Sequence, residues 1–369
     1  MMSKIALFGG SFDPVTTDHL NIAKACYEKL KFDEVWFIPA FLNPFKTSQH
    51  SSVKDRLTML QMLVDEYSFL RINEYEVNNQ RPTSTFETVQ YIVKNYPENK
   101  FSFIIGSDQL DRLEEWDHFE KLEKLVPFKV FLRDEKDSHN PMLKKHNLEM
   151  FTFDNNHLSS TMVRSLEKLN LQIPMINDYC NYHLLYLNER LLPFMDEDRF
   201  LHCLNVGQTA KELANIWGAN EQKALIAGTL HDITKCWDHE KSKIYMQRYL
   251  PFLMTEPEPV WHAFTGYLHL QKDWLIKDQE VLQAVFNHTV GSPEMSLLDI
   301  IVFCADKISP ERDYPGVKKL RELCFQDLMA GFRKILKNQY ESVLKKRGPK
   351  DMGLMLTNSY KYWIEGVRS

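Results

Sequence analysis

The six cysteines of this 369-residue chain are scattered, and no two form a C-x-x-C pair. A disulfide framework and a thiolate zinc site are therefore both unsupported. No stretch approaches the ~20 apolar residues of a membrane-spanning helix. The first apolar run, Ile5 to Phe8, is too short for the core of a signal peptide, and no cleavage pattern follows it. A basic excess is also missing: 45 Lys and Arg stand against 50 Asp and Glu, for a net charge of −5 without long single-sign blocks. That balance argues against a duplex nucleic-acid binder. Internal repeats and low-complexity tracts are absent as well. These absences predict a soluble cytoplasmic protein with neither a membrane nor a nucleic acid as partner. What is present is ordinary globular composition, 44% hydrophobic and 26% charged, in a chain long enough to predict two domains.

The first half alternates short β-rich runs with helical patterns. Strands are expected at Ile5–Phe8, Val35–Ile38, Leu70–Asn73, Phe101–Ile105, Lys129–Leu132 and Met150–Phe153. Between the first two, Leu20, Ala23, Tyr27 and Leu30 recur at helical spacing and predict one apolar face. The alternation predicts an α/β doubly wound parallel sheet, Rossmann-like, with ligands beyond the carboxyl ends of its strands. After about Tyr186 the pattern becomes helical almost throughout, with the proline-rich "LPFLMTEPEPV" as an interhelical loop. A join near Leu187–Arg190 is expected between an α/β domain (1–187) and an all-α domain (188–369).

In "LFGGSFDPVTTDHL", residues 7–20, Gly9 and Gly10 leave a strand where backbone has to approach something closely. A helix starting near Thr17 then points its first amides back at that gap, which favours an anion. His19, in the first turn, is placed to donate to a phosphate oxygen. In "LSSTMVR" (158–164), Ser159, Ser160 and Thr161 are cap-type residues whose hydroxyls and amides would form a second anion cradle. Arg164 adds a forked cation one turn in.

Together the two stretches resemble the paired motifs of the nucleotidyltransferase superfamily: Gly-Gly-(Thr/Ser)-Phe-Asp-Pro with (His/Thr)-x-Gly-His, and Ser-Ser-Thr-x-x-Arg. "NPFK", "TSTFETV" and "IIGSDQL" are similar to blocks of its nicotinate mononucleotide adenylyltransferases, over about residues 3 to 187. The resemblance implies transfer of AMP from ATP, with Mg²⁺, to nicotinate mononucleotide, releasing pyrophosphate by in-line attack without a covalent intermediate. It implies ATP contacts from Gly9, Gly10, Ser11, Phe12, Thr16, His19, Gly106, Asp108, Ser159, Ser160, Thr161 and Arg164. His19, Lys46 and Arg164 would offset growing charge, while Lys46, Thr85 and Trp116 would meet nicotinate mononucleotide. The alternative reading of Asp108 is a helix cap, and of Trp116 ordinary core. The pattern departs at Asp18, where the family has glycine. A carboxylate there would repel ATP by ~1 kcal/mol, unless it points to solvent, complements the helix dipole or helps hold Mg²⁺.

The second half carries its own signal. His202 precedes Val206 by four on an apolar face, His231 follows Ala224 and Ala227, His288 follows Ala284 by four, and Asp306 follows Val302 by four. Polar residues aimed at a core are costly unless paired or ligated. Four of them, with Asp232 directly after His231, predict a buried metal site, and ligation without sulfur suits iron, manganese or zinc.

The set His202, His231-Asp232, His262, His288 and Asp306 resembles the HD-domain metal-dependent phosphohydrolases in their two-metal version. "LHDITK", "HAFTGYL" and "NHTVGSPEMSLLDIIVFCADKISPERDYPGV" are similar to bacterial members that split diadenosine tetraphosphate (Ap4A) symmetrically into two ADP, over about residues 195 to 345. The resemblance implies two divalent ions, iron first among the candidates, bridged by Asp232. Lys235, Thr289, Lys307 and Arg312 would contact substrate phosphates, Lys235 equally reading as a solvated lysine. His239 and His269 match no ligand position. Left open are an amidated mononucleotide or another acceptor in the first half, a guanosine polyphosphate in the second, a nucleotide sensor in which one half binds without reacting, and a homo-oligomer.

Overall fold

A computed structural model describes residues 2–42, 50–349 and 352–367. The chain divides into two compact units, Met1–Cys180 and Asn181–Ser369. The division falls inside the Pro174–Tyr182 helix, ahead of the join expected from composition.

The first unit is built on six parallel strands: β1 (Lys4–Gly10), β2 (Glu34–Pro39), β3 (Leu70–Ile72), β4 (Lys100–Gly106), β5 (Phe128–Phe131) and β6 (Glu149–Phe151). All six fall on the runs picked out by β-propensity, shifted by a residue or two at their ends. Their order, β3-β2-β1-β4-β5-β6, is that of a Rossmann-like doubly wound sheet. Phe8 pairs with Phe37 on one side and Ile104 on the other. Ile5, Ala6, Leu7 and Phe8 are all buried, so the central strand reads as a continuous apolar run, as expected for a sheet covered on both faces. The strand order reverses between β1 and β4, which end in Gly9-Gly10 and Gly106. Their carboxyl ends therefore define the crevice where such folds bind ligands.

The helix after β1, Thr17–Glu28, buries Leu20, Ile22, Ala23, Ala25 and Cys26. This corrects the expected face. Leu30 lies beyond the helix, and Tyr27 stays 43% exposed, its ring stacked 4.4 Å from that of Phe69 outside the core.

The second unit is helical. Glu197–Trp217, Glu221–Leu230, Trp261–Lys272, Gln279–Asn287 and Leu297–Ile308 carry the residues that matter here. Asp196, Asn220, Asp278 and Ser296 cap four of them by accepting from backbone amides, the short polar residues that N-termini require. The first two helices cross at glycine. A Cβ on Gly228 would lie 2.9 Å from Gly207 Cα and 2.9 Å from Val206 O, closer than side-chain packing permits. The proline-rich segment forms two single turns, Pro251–Leu253 and Glu258–Val260, between helices. Among the described residues no helix is long and apolar enough to cross a membrane.

Candidate functional site

At the β1–β4 crevice, Thr16 and His19 close a reciprocal cap on the Thr17–Glu28 helix. The Thr16 hydroxyl accepts from the His19 amide, and the Thr16 amide donates to His19 Nδ1 at 3.0 Å. An imidazole nitrogen that accepts carries no proton, so the neutral ring holds its proton on Nε2 as a donor. Burial against Phe8 and Phe12, with the nearby Arg133 guanidinium, pushes the His19 pKa down to about 3, and Asp108 opposes this only in part. His19 is thus a neutral group whose Nε2–H is free to donate a hydrogen bond.

Of the places anticipated for it, Asp18 takes the one in the first turn of the Thr17–Glu28 helix, where a carboxylate complements the dipole, and it does not point to solvent. It is 2% exposed, and its two oxygens accept from the backbone amides of Asn156 (3.0 Å) and Leu158 (2.8 Å). The carboxylate straps the first motif to the loop leading into the second. Both oxygens are engaged by amides, so the carboxylate is held against backbone donors that offset part of its charge.

The second motif is likewise committed to holding the first. Ser159 caps the Ser160–Arg164 helix by accepting from Met162 N. The Ser160 hydroxyl donates to Pro14 O at 2.8 Å. Arg164, 6% exposed, donates from Nη1 to Asp13 O at 2.6 Å and from Nη2 to Thr161 Oγ1 at 3.2 Å. Of the hydroxyls read as an anion cradle, that of Ser160 donates within the protein, while those of Ser159 and Thr161 accept from Met162 N and Arg164 Nη2. The glycines also have a local reason. A Cβ on Gly10 would come within 2.9 Å of the Phe12 ring, and one on Gly9 within 3.1 Å of Phe103.

Asp108 lies in the Ser107–Glu115 3₁₀ helix that follows Gly106. It pairs with Arg133 Nε at 2.8 Å, and its side chain folds over Gly106 where a Cβ would collide with it. Thr85 opens the Thr85–Asn95 helix behind its cap Ser84. Trp116 packs edge-on to Phe103 and Phe128, at the border of the core. Lys46 lies outside the described residues.

Two arginines here escaped the reading of the sequence. Arg56, fully buried, donates to the carbonyls of Ser11, Ala40 and Phe41 and so ties the β1 and β2 exits together. Arg133 lies just past the end of β5, after Leu132, and its place beyond a strand end beside β4 was the available signal.

In the second unit six residues that are far apart in sequence converge. His202 is 5% exposed, His231 0%, Asp232 4%, His262 9%, His288 1% and Asp306 5%. Asp232 divides them. Its Oδ2 lies 3.5 Å from His231 Nε2 and 3.9 Å from His202 Nε2, while its Oδ1 lies 3.2 Å from His262 Nε2 and 3.5 Å from His288 Nε2. Asp306 Oδ1 joins the first pair, at 3.3 Å from His202 Nε2 and 3.7 Å from His231 Nε2. Ligand atoms about 2.1 Å from a common divalent ion stand roughly 3.0–3.4 Å apart, close to these separations.

The protonation pattern also suits ligation. His231 Nδ1 meets Gly228 O at 2.7 Å, and His288 Nδ1 meets Val285 O at 2.6 Å. A carbonyl only accepts, so each Nδ1 carries the proton and each Nε2 turns a lone pair inward. His231 Nε2 is fully buried and finds no hydrogen-bond partner, a costly arrangement unless something binds it. Burial pushes the His288 pKa down to about 4, with help from the charges of His231 and His262 and against Asp232. Burial alone would raise the Asp232 pKa, but His231, His262 and His288 outweigh it and hold the carboxyl well below its ordinary range. Burial alone would lower the His231 pKa, but Asp232 and Asp306 outweigh it and raise it, so a cation binding there takes the place of a proton. The residues form two groups of three that share Asp232.

Cations ring this cluster. Lys235 Nζ is 3.3 Å from both His262 ring nitrogens; burial lowers its pKa, and repulsion from Lys307 and Arg199 adds to this against Asp232. Lys307 and Arg312 contact Asp306, and Thr289 Oγ1 is 3.0 Å from His288 Nε2. His239 and His269 sit elsewhere, paired with Glu258 and Asp273. Arg199, which donates to Asp232 Oδ2 at 2.7 Å, and Glu311, at His202 Nδ1, were not foreseen. Arg199 sits one helical turn before His202, a spacing that puts both on one face. Glu311 lies in a loop, where periodicity says nothing.

Residues 7–166 match the cytidylyltransferase-like family and residues 199–311 the HD domain family. A Mycoplasma genitalium protein, "Probable nicotinate-nucleotide adenylyltransferase/Ap4A hydrolase", is 31% identical over 313 residues, covering 85% of this chain and 89% of its own. A Mycoplasma pneumoniae protein of the same description is 29% identical over 343 residues, covering 92% and 97%. A Nitratiruptor "Probable nicotinate-nucleotide adenylyltransferase" is 44% identical over 130 residues, 35% of this chain and 73% of its own. The fold and the two sets of residues thus define a nucleotidyltransferase-type domain joined to an HD domain. The chain belongs to the family of nicotinate-nucleotide adenylyltransferase/Ap4A hydrolases.

Proposed function

We propose that the chain is a bifunctional enzyme. Its first unit joins ATP to nicotinate mononucleotide, giving deamido-NAD and pyrophosphate. Its second unit hydrolyses diadenosine tetraphosphate symmetrically to two ADP at a site holding two divalent ions. The observation that carries the hydrolase reading is Asp232, which gives one carboxylate oxygen to each of two imidazole pairs.

For adenylyl transfer the protein has mainly to position two substrates and stabilise charge that develops on phosphoryl oxygens. The triphosphate would lie in the crevice beyond β1 and β4. There His19 Nε2–H donates as a neutral group, and the amides that open the Thr17–Glu28 helix add their dipoles. Arg164 would act chiefly by fixing the Asp13 carbonyl and the second motif against the first. Arg133, positioned by Asp108, together with Lys46, would supply positive charge, with Mg²⁺ on the departing phosphates. Thr85 and Trp116 are the proposed contacts for the pyridine nucleotide.

For hydrolysis, His202, His231, Asp232 and Asp306 would hold one ion, and Asp232, His262 and His288 the other, iron being the preferred metal. Divalent ions in such sites supply an activated water and neutralise charge on phosphoryl oxygens. Lys235, Lys307, Arg312 and Thr289 would grip the polyphosphate, whose several negative charges suit a bowl rimmed with cations.

The test is turnover by the intact chain. Pyrophosphate release from ATP should require nicotinate mononucleotide and fall in His19→Ala. Equal release with the amidated mononucleotide would contradict the acceptor assignment. Diadenosine tetraphosphate should give ADP alone. Products of AMP plus ATP, or preference for a guanosine polyphosphate, would contradict the hydrolase assignment.

A further inference from the structure

The imidazoles of the cluster are not held alike. His231 and His288 each donate Nδ1–H to a backbone carbonyl, whereas His202 turns Nδ1 to a carboxylate, 2.5 Å from Glu311 Oε1. Glu311 is itself fixed from two directions. The Ser309 hydroxyl donates to Oε1 at 2.6 Å, and Asn205 Nδ2 donates to Oε2 at 2.8 Å. Asn205 follows His202 by three residues in the Glu197–Trp217 helix, so one helix face presents both the imidazole and the clamp on its carboxylate. Neither reaction proposed above uses Glu311.

A carboxylate behind an imidazole does two things that a carbonyl does less well. It locks the ring plane and tautomer, and it adds a full negative charge that makes Nε2 a better electron-pair donor to a cation. On the far side of Asp232 the arrangement is reversed, because the group beside His262 is the Lys235 ammonium. We infer that Glu311 is a positioning residue that sets how tightly the His202–His231–Asp232–Asp306 position holds its divalent ion. The inference rests on the two-ion reading of this site. It makes the two positions unequal in what backs their imidazoles: among the described residues, a carboxylate stands behind His202 and none behind His262 or His288. Arg199, Lys307 and Arg312 contact the carboxylates of the first position.

The measurement is a titration of the full-length chain, stripped of metal by a chelator and dialysed, with Mn²⁺. Heat is followed by calorimetry, and free Mn²⁺ by its paramagnetic resonance signal. The wild-type chain should take up two ions in two steps of different affinity. His288→Ala should remove the weaker step and so identify it. Glu311→Gln, which keeps the shape but loses the charge, should weaken the tighter step by about 10- to 100-fold and leave the weaker one where it was. Glu311→Asp should recover part of the loss. An unchanged tighter step in Glu311→Gln, or an equal fall in both steps, would overturn the inference. If the Glu311 variants do not fold, Asn205→Ala, which releases one carboxylate oxygen, should give a smaller fall confined to the same step. A wild-type chain that takes up no Mn²⁺ would instead overturn the two-ion reading itself, a separate result.

Discussion

Asp18 and Asp232 are both buried aspartates next to a histidine, and the sequence offers little to tell them apart. Asp18 is 2% exposed and Asp232 4%. Their partners differ in kind. Asp18 meets two backbone amides, fixed donors with no other task, and becomes a strap within the scaffold. Asp232 meets four imidazoles and the Arg199 guanidinium, groups that can exchange it for a ligand. A buried carboxylate satisfied by backbone holds structure, while one shared among side chains of variable protonation holds chemistry.

The widest separation between the two should come from Asp232→Ala. ADP formation from diadenosine tetraphosphate is expected to fall by about 1000-fold, some 4 kcal/mol of barrier, while pyrophosphate release from ATP is unchanged. A parallel loss of both activities would mean that Asp232 is a scaffold residue like Asp18. Next comes His19→Ala. Loss of one preorganised donor should slow adenylyl transfer by about 100-fold, roughly 2.7 kcal/mol, with hydrolysis untouched.

Asp18→Ala should act on stability instead. Two buried amides lose a charged acceptor, so the unfolding transition of the first unit should weaken by about 2 kcal/mol, read from the denaturant midpoint. Tighter ATP binding in Asp18→Gly would show that the strapped carboxylate still repels the triphosphate.

The smallest effect is a slope with pH. The His19 pKa is depressed in the folded chain, so the unfolded chain binds the extra proton first as pH falls. The contribution of His19 is therefore complete above the ordinary histidine pKa and lost as pH drops from there toward about 3. His19→Asn should flatten that part of the stability profile. An unaltered slope would mean that the ring is not neutral in the fold.

How much of this the sequence discloses follows from what periodicity measures. Runs such as Ile5–Phe8 and Phe101–Ile105 report burial on both faces of a sheet, and all six strands appear where those runs lie. His202, His231, His288 and Asp306 interrupt apolar faces at helical spacing, and that spacing alone marks them as buried polar groups. Residues whose role depends on a remote partner leave no such trace. Asp18 is defined by amides 138 and 140 positions away, Arg56 by three carbonyls, and Glu311 by an imidazole 109 positions away. The Ser160 hydroxyl, which donates to Pro14 O 146 positions away, is another such case, since a cap-type residue looks alike whatever its oxygen meets.

The glycine crossing of the Glu197–Trp217 and Glu221–Leu230 helices carries a consequence for the metal cluster. Gly228 leaves no room for a Cβ against the opposite backbone and anchors the His231 ring with its carbonyl oxygen. The gap between the His202 and His231 rings, 5.1 Å between centroids, is thus gauged by a missing methyl group. A single alanine at 228 would act as a shim, prising the two imidazoles apart without touching either of them.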